Sequence, residues 1–147
     1  MLALHKRVED FSDLVSQADV VLDCSDNFAT RQALNRACVK HSKPLVSGAA
    51  IRFDGQLMVF DLRKNNSACY ACLFPEDAQV EEVQCSTMGV FAPLTGVIGA
   101  AQAMEALKLI VGVGEPANLQ ILDAKNAEWR SVRVKKDPAC NVCGKTA

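Results

Sequence analysis

The alternation of apolar and polar positions divides the chain into short units of differing period. Residues 19 to 24, "DVVLDC", form an apolar run that ends at the polar "SDN", the pattern of a buried strand arriving at a loop. The following "FATRQALNRACVKHS" carries Phe28, Leu34, Ala37, Cys38 and His41 at near-helical spacing, with Ser25, Asp26 or Asn27 available as its N-cap. "KPLVSGAA" supplies a second short strand. This strand, helix, strand order predicts a parallel pair joined by a right-handed crossover.

Further on, "IRFDGQLMVFDL" reads as a hairpin or bent strand pair with Asp54-Gly55 as its turn. From Leu73 to Pro93 no period is sustained, and Pro75, Glu76, Asp77, Glu81 and Glu82 crowd the segment. An irregular stretch of this length is often functional or mobile. The longest apolar run, "PLTGVIGAAQAMEALKLIVGVG" at 93 to 114, is interrupted by Gln102, Glu105 and Lys108 at three-residue spacing. It reads as a buried helix with one narrow wet edge, not as a membrane span. "NLQILDA" and "EWRSVRVKK" then alternate as two antiparallel strands around the turn "KNA". The units add up to an α/β fold with a mixed sheet and flanking helices, and 147 residues fit a single domain over 1–147.

Charge adds an exclusion. Sixteen Lys plus Arg against 17 Asp plus Glu leave a net charge of -1, without the basic excess that a phosphate backbone demands, so nucleic acid is not expected as a partner. "MLALHKRVEDFSDL" has neither the apolar run nor the small-residue cleavage site of a signal peptide, and a cytoplasmic location is expected. In that reducing setting seven cysteines do not suggest a disulfide framework.

Four of them fall into two C-x-x-C pairs, Cys69 with Cys72 in "CYACLFP" and Cys140 with Cys143 in "CNVCG". Two such pairs can converge on one tetrahedral zinc ion as a closed structural site. A redox reading would want a pair at a strand-to-helix junction. Four unrelated buried cysteines would leave two identical spacings unexplained. Zinc is the favoured reading, and it would clip the C-terminal tail onto the middle of the chain.

Two further positions carry candidate chemistry. Asp26 stands with Asp23 around the C-terminal end of the first strand, where open α/β sheets bind ligands; a carboxylate there could hold Mg²⁺ against phosphates, or Asp26 could simply cap the next helix. Cys85, in "VEEVQCSTMGV", is either a nucleophile for an activated acyl group or an inert small side chain, and Glu81 and Glu82 oppose a lowered pKa. Cys24 and Cys38 read as core, His5 and His41 as surface or helix-face residues, and Tyr70 and Trp129 as structural.

Taken together, "DVVLDCSDNFATRQALNRACV", "PLVSGAAIRFDGQL", "CYACLFP", "CSTMGVFAPLTGVIGAAQAMEALKLI" and "CNVCG" resemble the ThiF/MoeB/HesA family of adenylyltransferases that activate ubiquitin-like sulfur carrier proteins. The resemblance runs from about residue 14 to residue 144, and its wording is nearer the thiamine type than the molybdopterin type. It implies the C-terminal part of a Rossmann-like nucleotide-binding fold. It also implies Asp26 and Asn27 beside ATP and Mg²⁺, zinc on Cys69, Cys72, Cys140 and Cys143, and Cys85 where relatives form an adduct with the activated carrier. A ubiquitin-like sulfur carrier, a sulfurtransferase and a second copy of the chain are the implied partners. One departure is plain: no G-x-G-x-x-G phosphate loop occurs, and such a loop normally opens a fold of this kind, so the resemblance implies a partial domain that lacks the N-terminal glycine-rich half of family members. The resemblance therefore implies a carrier-docking, zinc-bearing part that is inactive by itself, or a binding module without catalysis.

Overall fold

The computed structural model describes residues 11–77 and 88–144. Five strands form one sheet in the order β1-β2-β3-β4-β5. They are β1 (Val21–Asp23), β2 (Leu45–Ile51), β3 (Asp54–Phe60), β4 (Leu119–Asp123) and β5 (Glu128–Val132). The first pair is parallel and the other three pairs are antiparallel, so the sheet is mixed as expected. The helices are α1 (Phe11–Gln17), α2 (Phe28–Lys40), the single turn α3 (Tyr70–Leu73) and α4 (Ala92–Val111).

Strand alternation divides the core between the two faces of the sheet. Leu45, Met58, Phe60 and Leu119 turn toward α2 and meet Ala37, Cys38 and Tyr70. Val46, Leu57 and Val59 turn the other way and meet Leu109 of α4. Cys38 is core, as expected; burial, and then the charge of Asp23, push its thiol up to about 12, so it behaves as a neutral apolar filler.

Two expectations are corrected. The β2–β3 turn is Arg52-Phe53, because Ile51 pairs with Asp54 and both Asp54 and Gly55 lie inside β3. Arg52 takes a positive φ of 50° and is held there by Arg52 N–H to Gly89 O (2.9 Å) and Phe91 N–H to Arg52 O (2.7 Å). Gly55 serves helix packing, not a turn: a Cβ on it would stand 2.7 Å from Ile98 Cδ1.

The second correction reverses α4. Its polar stripe is its inner edge: Gln102 and Glu105 are each 3% exposed, while Val97, Met104, Leu107, Ile110 and Val111 are exposed. The burial of the polar groups is made possible by hydrogen bonds. Gln102 Nε2 donates to Asp23 O (2.9 Å) and Val46 O (3.2 Å). Glu105 accepts from Lys108 Nζ (2.7 Å) and from the Ala117 N–H (3.1 Å), and so anchors the loop that leads to β4. Pro93 opens the helix and Gly112, at φ 69°, closes it. By length and composition alone α4 could cross a membrane, yet Leu94, Ile98, Ala106 and Leu109 bury it against the sheet.

At the edges, β1 pairs only with β2 among the described residues and leaves Leu22 exposed, and every residue of β5 is exposed, Trp129 included.

Candidate functional site

The loop from Cys24 to Asn27 joins β1 to α2 at the C-terminal ends of the two parallel strands. Asn27 is the N-cap: its backbone is extended (φ -129°, ψ 145°) and its Oδ1 accepts the Thr30 N–H at 2.8 Å. That bond removes the capping role from Asp26, whose side chain is exposed and lines a cavity of about 490 Å³.

The loop is fixed from beneath by a buried carboxylate. Asp23 is 1% exposed; its Oδ1 accepts from Ser25 N–H (2.9 Å) and Ser25 Oγ (2.6 Å), and its Oδ2 accepts from Ser47 Oγ (2.9 Å). Arg31, one turn into α2, lies 3.9 Å from Asp23 Oδ2 and donates to Ser47 Oγ (3.2 Å), Gly48 O (3.0 Å) and Ser25 O. A guanidinium can satisfy several acceptors at once, which suits it to this junction of strand ends and loop. The cavity continues along β2 and β3 past Gly48, Ala49 and Ile51 and is walled by Phe28, Tyr70 and Phe74.

The four thiols form a second constellation. The turn α3 is bracketed by Cys69 and Cys72, and the tail returns Cys140 and Cys143 to them. Sγ separations are 3.8 Å for Cys69–Cys140, 4.0 Å for Cys69–Cys72 and 3.4 Å for Cys72–Cys143, and all four atoms lie within 4.8 Å of one another. A tetrahedron with metal–sulfur bonds of about 2.3 Å has edges of about 3.8 Å, so the donor set fits zinc in size and chemistry. Backbone and amide donors surround the sulfurs, including Asp137 N–H to Cys72 (3.5 Å) and Asn35 Nδ2 to Cys69 (3.6 Å). Asn35 also accepts the Tyr70 N–H at 2.9 Å, which ties α2 to α3. Gly144 closes the second knuckle: a Cβ there would meet Pro138 O at 2.5 Å and Cys140 O at 2.6 Å. Burial pushes the Cys69 thiol up to about 11 and raises Cys143 as well, while the Cys143 and Val142 N–H groups outweigh burial and lower Cys140.

The structure thus gathers the two cysteine pairs and separates the duties of Asp26 and Asn27. Cys24 is corrected: it is exposed at the cavity, and its thiol donates to Gln102 Oε1 at 3.5 Å. Cys85 and His5 lie outside the described residues. His41 closes α2 and meets Ser12 Oγ through Nε2 at 2.9 Å. Sequence reasoning placed Asp23 at the strand end with Asp26 but missed Arg31, Asn35 and Gln102 as parts of the two sites. Their only sequence signal was polarity at positions that helical or strand periodicity assigns to the interior.

A Rossmann-like α/β unit with a ligand cavity at its parallel strand ends and a four-thiol cluster defines a class before any relative is considered. The model of the ThiF family matches residues 2–142, and the chain belongs to that family. The Sulfur carrier protein ThiS adenylyltransferase of Escherichia coli (strain K12) is 46% identical over 147 residues, spanning 98% of this chain and 58% of that protein. The Molybdopterin-synthase adenylyltransferase of the same organism is 44% identical over 140 residues, spanning 92% and 54%. These identities are too close to separate a thiamine type from a molybdopterin type. The chain spans about half the length of these curated relatives. The crystal structure of E. coli MccB with ATP shares the fold, with TM-score 0.71 and 21% identity over 98% of this chain and 45% of that one.

Proposed function

We propose that this chain supplies the carrier-docking, zinc-bearing part of an adenylyltransferase that activates a ubiquitin-like sulfur carrier protein. The observation that carries the reading is Asp26: a carboxylate released from helix capping, exposed at a cavity beyond parallel strand ends, in a ThiF-family chain. In the reaction, the carrier's terminal glycine carboxylate attacks the α-phosphate of ATP; the new acyl–phosphate bond forms as the bond to pyrophosphate breaks. Asp26 would hold Mg²⁺, which supplies charge neutralisation at the phosphates. Asn27 contributes by starting α2 beside Asp26, and Arg31 with Asp23 keeps the loop rigid. The slot along Gly48 and Ala49 suits a carrier tail of small residues, flanked by the rings of Phe28, Tyr70 and Phe74. Cys69, Cys72, Cys140 and Cys143 would hold a structural zinc with no open position for catalysis. Cys85 is proposed to attack the carrier's acyl-adenylate through its thiolate, a thioester forming as the bond to AMP breaks, and loss of that adduct in Cys85→Ser tests it. A sulfurtransferase and a second copy of the chain are proposed as further partners, at work in the cytoplasm.

A second reading, a zinc-stabilised module that binds the carrier without activating it, is favoured by the four-thiol cluster, a closed donor set with no position for a reactant. ATP–pyrophosphate exchange with magnesium and a carrier ending in Gly-Gly separates the two. The chain is assayed alone and with the amino-terminal segment that the family resemblance implies. Exchange that depends on the added segment supports activation. Carrier binding with no exchange in either mixture supports the binding module.

A further inference from the structure

We infer that Gln102 is a positioning residue for the Asp26 loop, a tether through which α4 sets where that carboxylate points. What the loop does when positioned rests on the adenylylation reading; the tether itself does not.

Gln102 sits mid-helix on a face where an apolar side chain would fill the same space without the cost of burying an amide. Its carboxamide is instead used at both ends. Nε2 donates to Asp23 O (2.9 Å) and to Val46 O (3.2 Å), and Oε1 accepts from Cys24 Sγ (3.5 Å). Three points, the end of β1 at Asp23, the start of the loop at Cys24 and the neighbouring strand at Val46, are thus held by one side chain. Room for it is made by Gly48, where a Cβ would stand 2.3 Å from Oε1. From α2, on the opposite face of the sheet, Arg31 grips Ser25 O, Ser47 Oγ and Gly48 O. The loop is therefore clamped between the two helices, Arg31 holding its middle and Gln102 its start. Buried polar groups with satisfied bonds fix one arrangement where apolar packing would tolerate several, and a phosphate-side carboxylate displaced by an ångström loses much of its effect.

The test reads the tether through Cys24. Iodoacetamide labelling of Cys24, followed by peptide mapping in the chain as it stands, is compared for the wild type, Gln102→Leu and Gly48→Ala; zinc per chain serves as the fold control. Leu removes the amide, and Ala displaces it while leaving Gln102 in the sequence. Both variants are expected to label about tenfold faster, the shift that losing one hydrogen bond of about 1.4 kcal/mol permits. If Gln102→Leu fails to hold zinc, Gly48→Ala decides. In exchange assays of Gln102→Leu with the added amino-terminal segment, a positioning role lowers kcat/KM for magnesium ATP about tenfold and leaves the KM for the carrier unchanged; Gly48→Ala, at a residue that lines the slot proposed for the carrier, is read by labelling alone. Wild-type labelling rates in zinc-loaded variants would overturn the tether, as would equal losses toward ATP and carrier. Faster labelling with no exchange even in the wild type would uphold the tether and overturn the adenylylation reading.

Discussion

The thiol cluster and the Asp26 loop are built on opposite principles, although both stand at ends of the same helix, sheet and tail framework. The cluster is closed: four sulfurs fill a tetrahedron, three of the four cysteines are buried, and Gly144 and Asn35 hold the two knuckles in place. The loop is open: its buried groups, Asp23, Arg31 and Gln102, point their bonds at one another, and the group left over, Asp26, faces a cavity. A closed site contributes to stability and has no position free for a reactant, whereas an open one holds its reactive group apart from the bonds that stabilise it. Substitutions should therefore damage folding at the cluster, both folding and chemistry beneath the loop, and chemistry alone at Asp26.

The largest effect is expected at the cluster. Structural zinc in small peptides is worth about 10–16 kcal/mol at neutral pH, and much of that would be lost with one thiolate. Cys140→Ser is expected to bring zinc below a tenth of an equivalent per chain and to expose the tail beyond β5 to proteolysis, read by metal analysis and limited digestion. A zinc-loaded, protease-resistant variant would contradict the closed-site description.

Next comes the floor of the loop. Asp23→Ala removes the acceptor of Ser25 and Ser47 and leaves the Arg31 guanidinium buried without its carboxylate. Breaking a buried pair of this kind costs about 3 to 5 kcal/mol, read as a lower urea midpoint with zinc retained.

How far such distinctions could be read from the sequence depended on where the signal lay. The order of the strands and of α2 and α4 followed from periodicity, whereas α1 and the turn α3 were too short to carry a readable period; "DVVLDC" and "PLVSG" were legible as the parallel pair, although the buried residue of β1 is Asp23 and Leu22 is exposed. The four zinc-type cysteines were legible because ligand spacing is a local property. The inner edge of α4 was not, because a polar stripe on an apolar helix looks the same whether it meets water or buried carbonyl oxygens. Nor was the turn at Arg52: Asp54-Gly55 carries the stronger local turn signal, and the segment at Gly89 to Phe91, remote in sequence, holds Arg52 in its positive φ instead. Asp26 and Asn27 offered equal capping chemistry, and only the bond from Thr30 separated them.

A smaller effect is expected from Asn27→Ala. Losing the cap costs about 1 kcal/mol, and the substitution leaves Asp26 in place. A modest fall in the urea midpoint with a proportionate fall in exchange activity would mean that the cap matters to the site through helix stability. A midpoint unchanged from wild type would mean that another side chain, Ser25 or Asp26, had taken over the cap.

The smallest effect on stability, and the sharpest test of the comparison, belongs to Asp26→Asn. The substitution is isosteric and exposed, and among the described residues no buried group is bonded to the carboxylate, so the stability should change by less than about 0.5 kcal/mol. Exchange with the added amino-terminal segment should fall by about 10² to 10³, the loss typical of removing a charge that stabilises a transition state. Raising magnesium should recover part of it if the carboxylate acts by holding the ion, and none if it acts by shaping the loop. A variant that lost stability as well would show that Asp26 belongs with Asp23 in the floor of the loop. The division between an inward set of groups that fold the chain and one outward group that serves the reaction would then have to be redrawn.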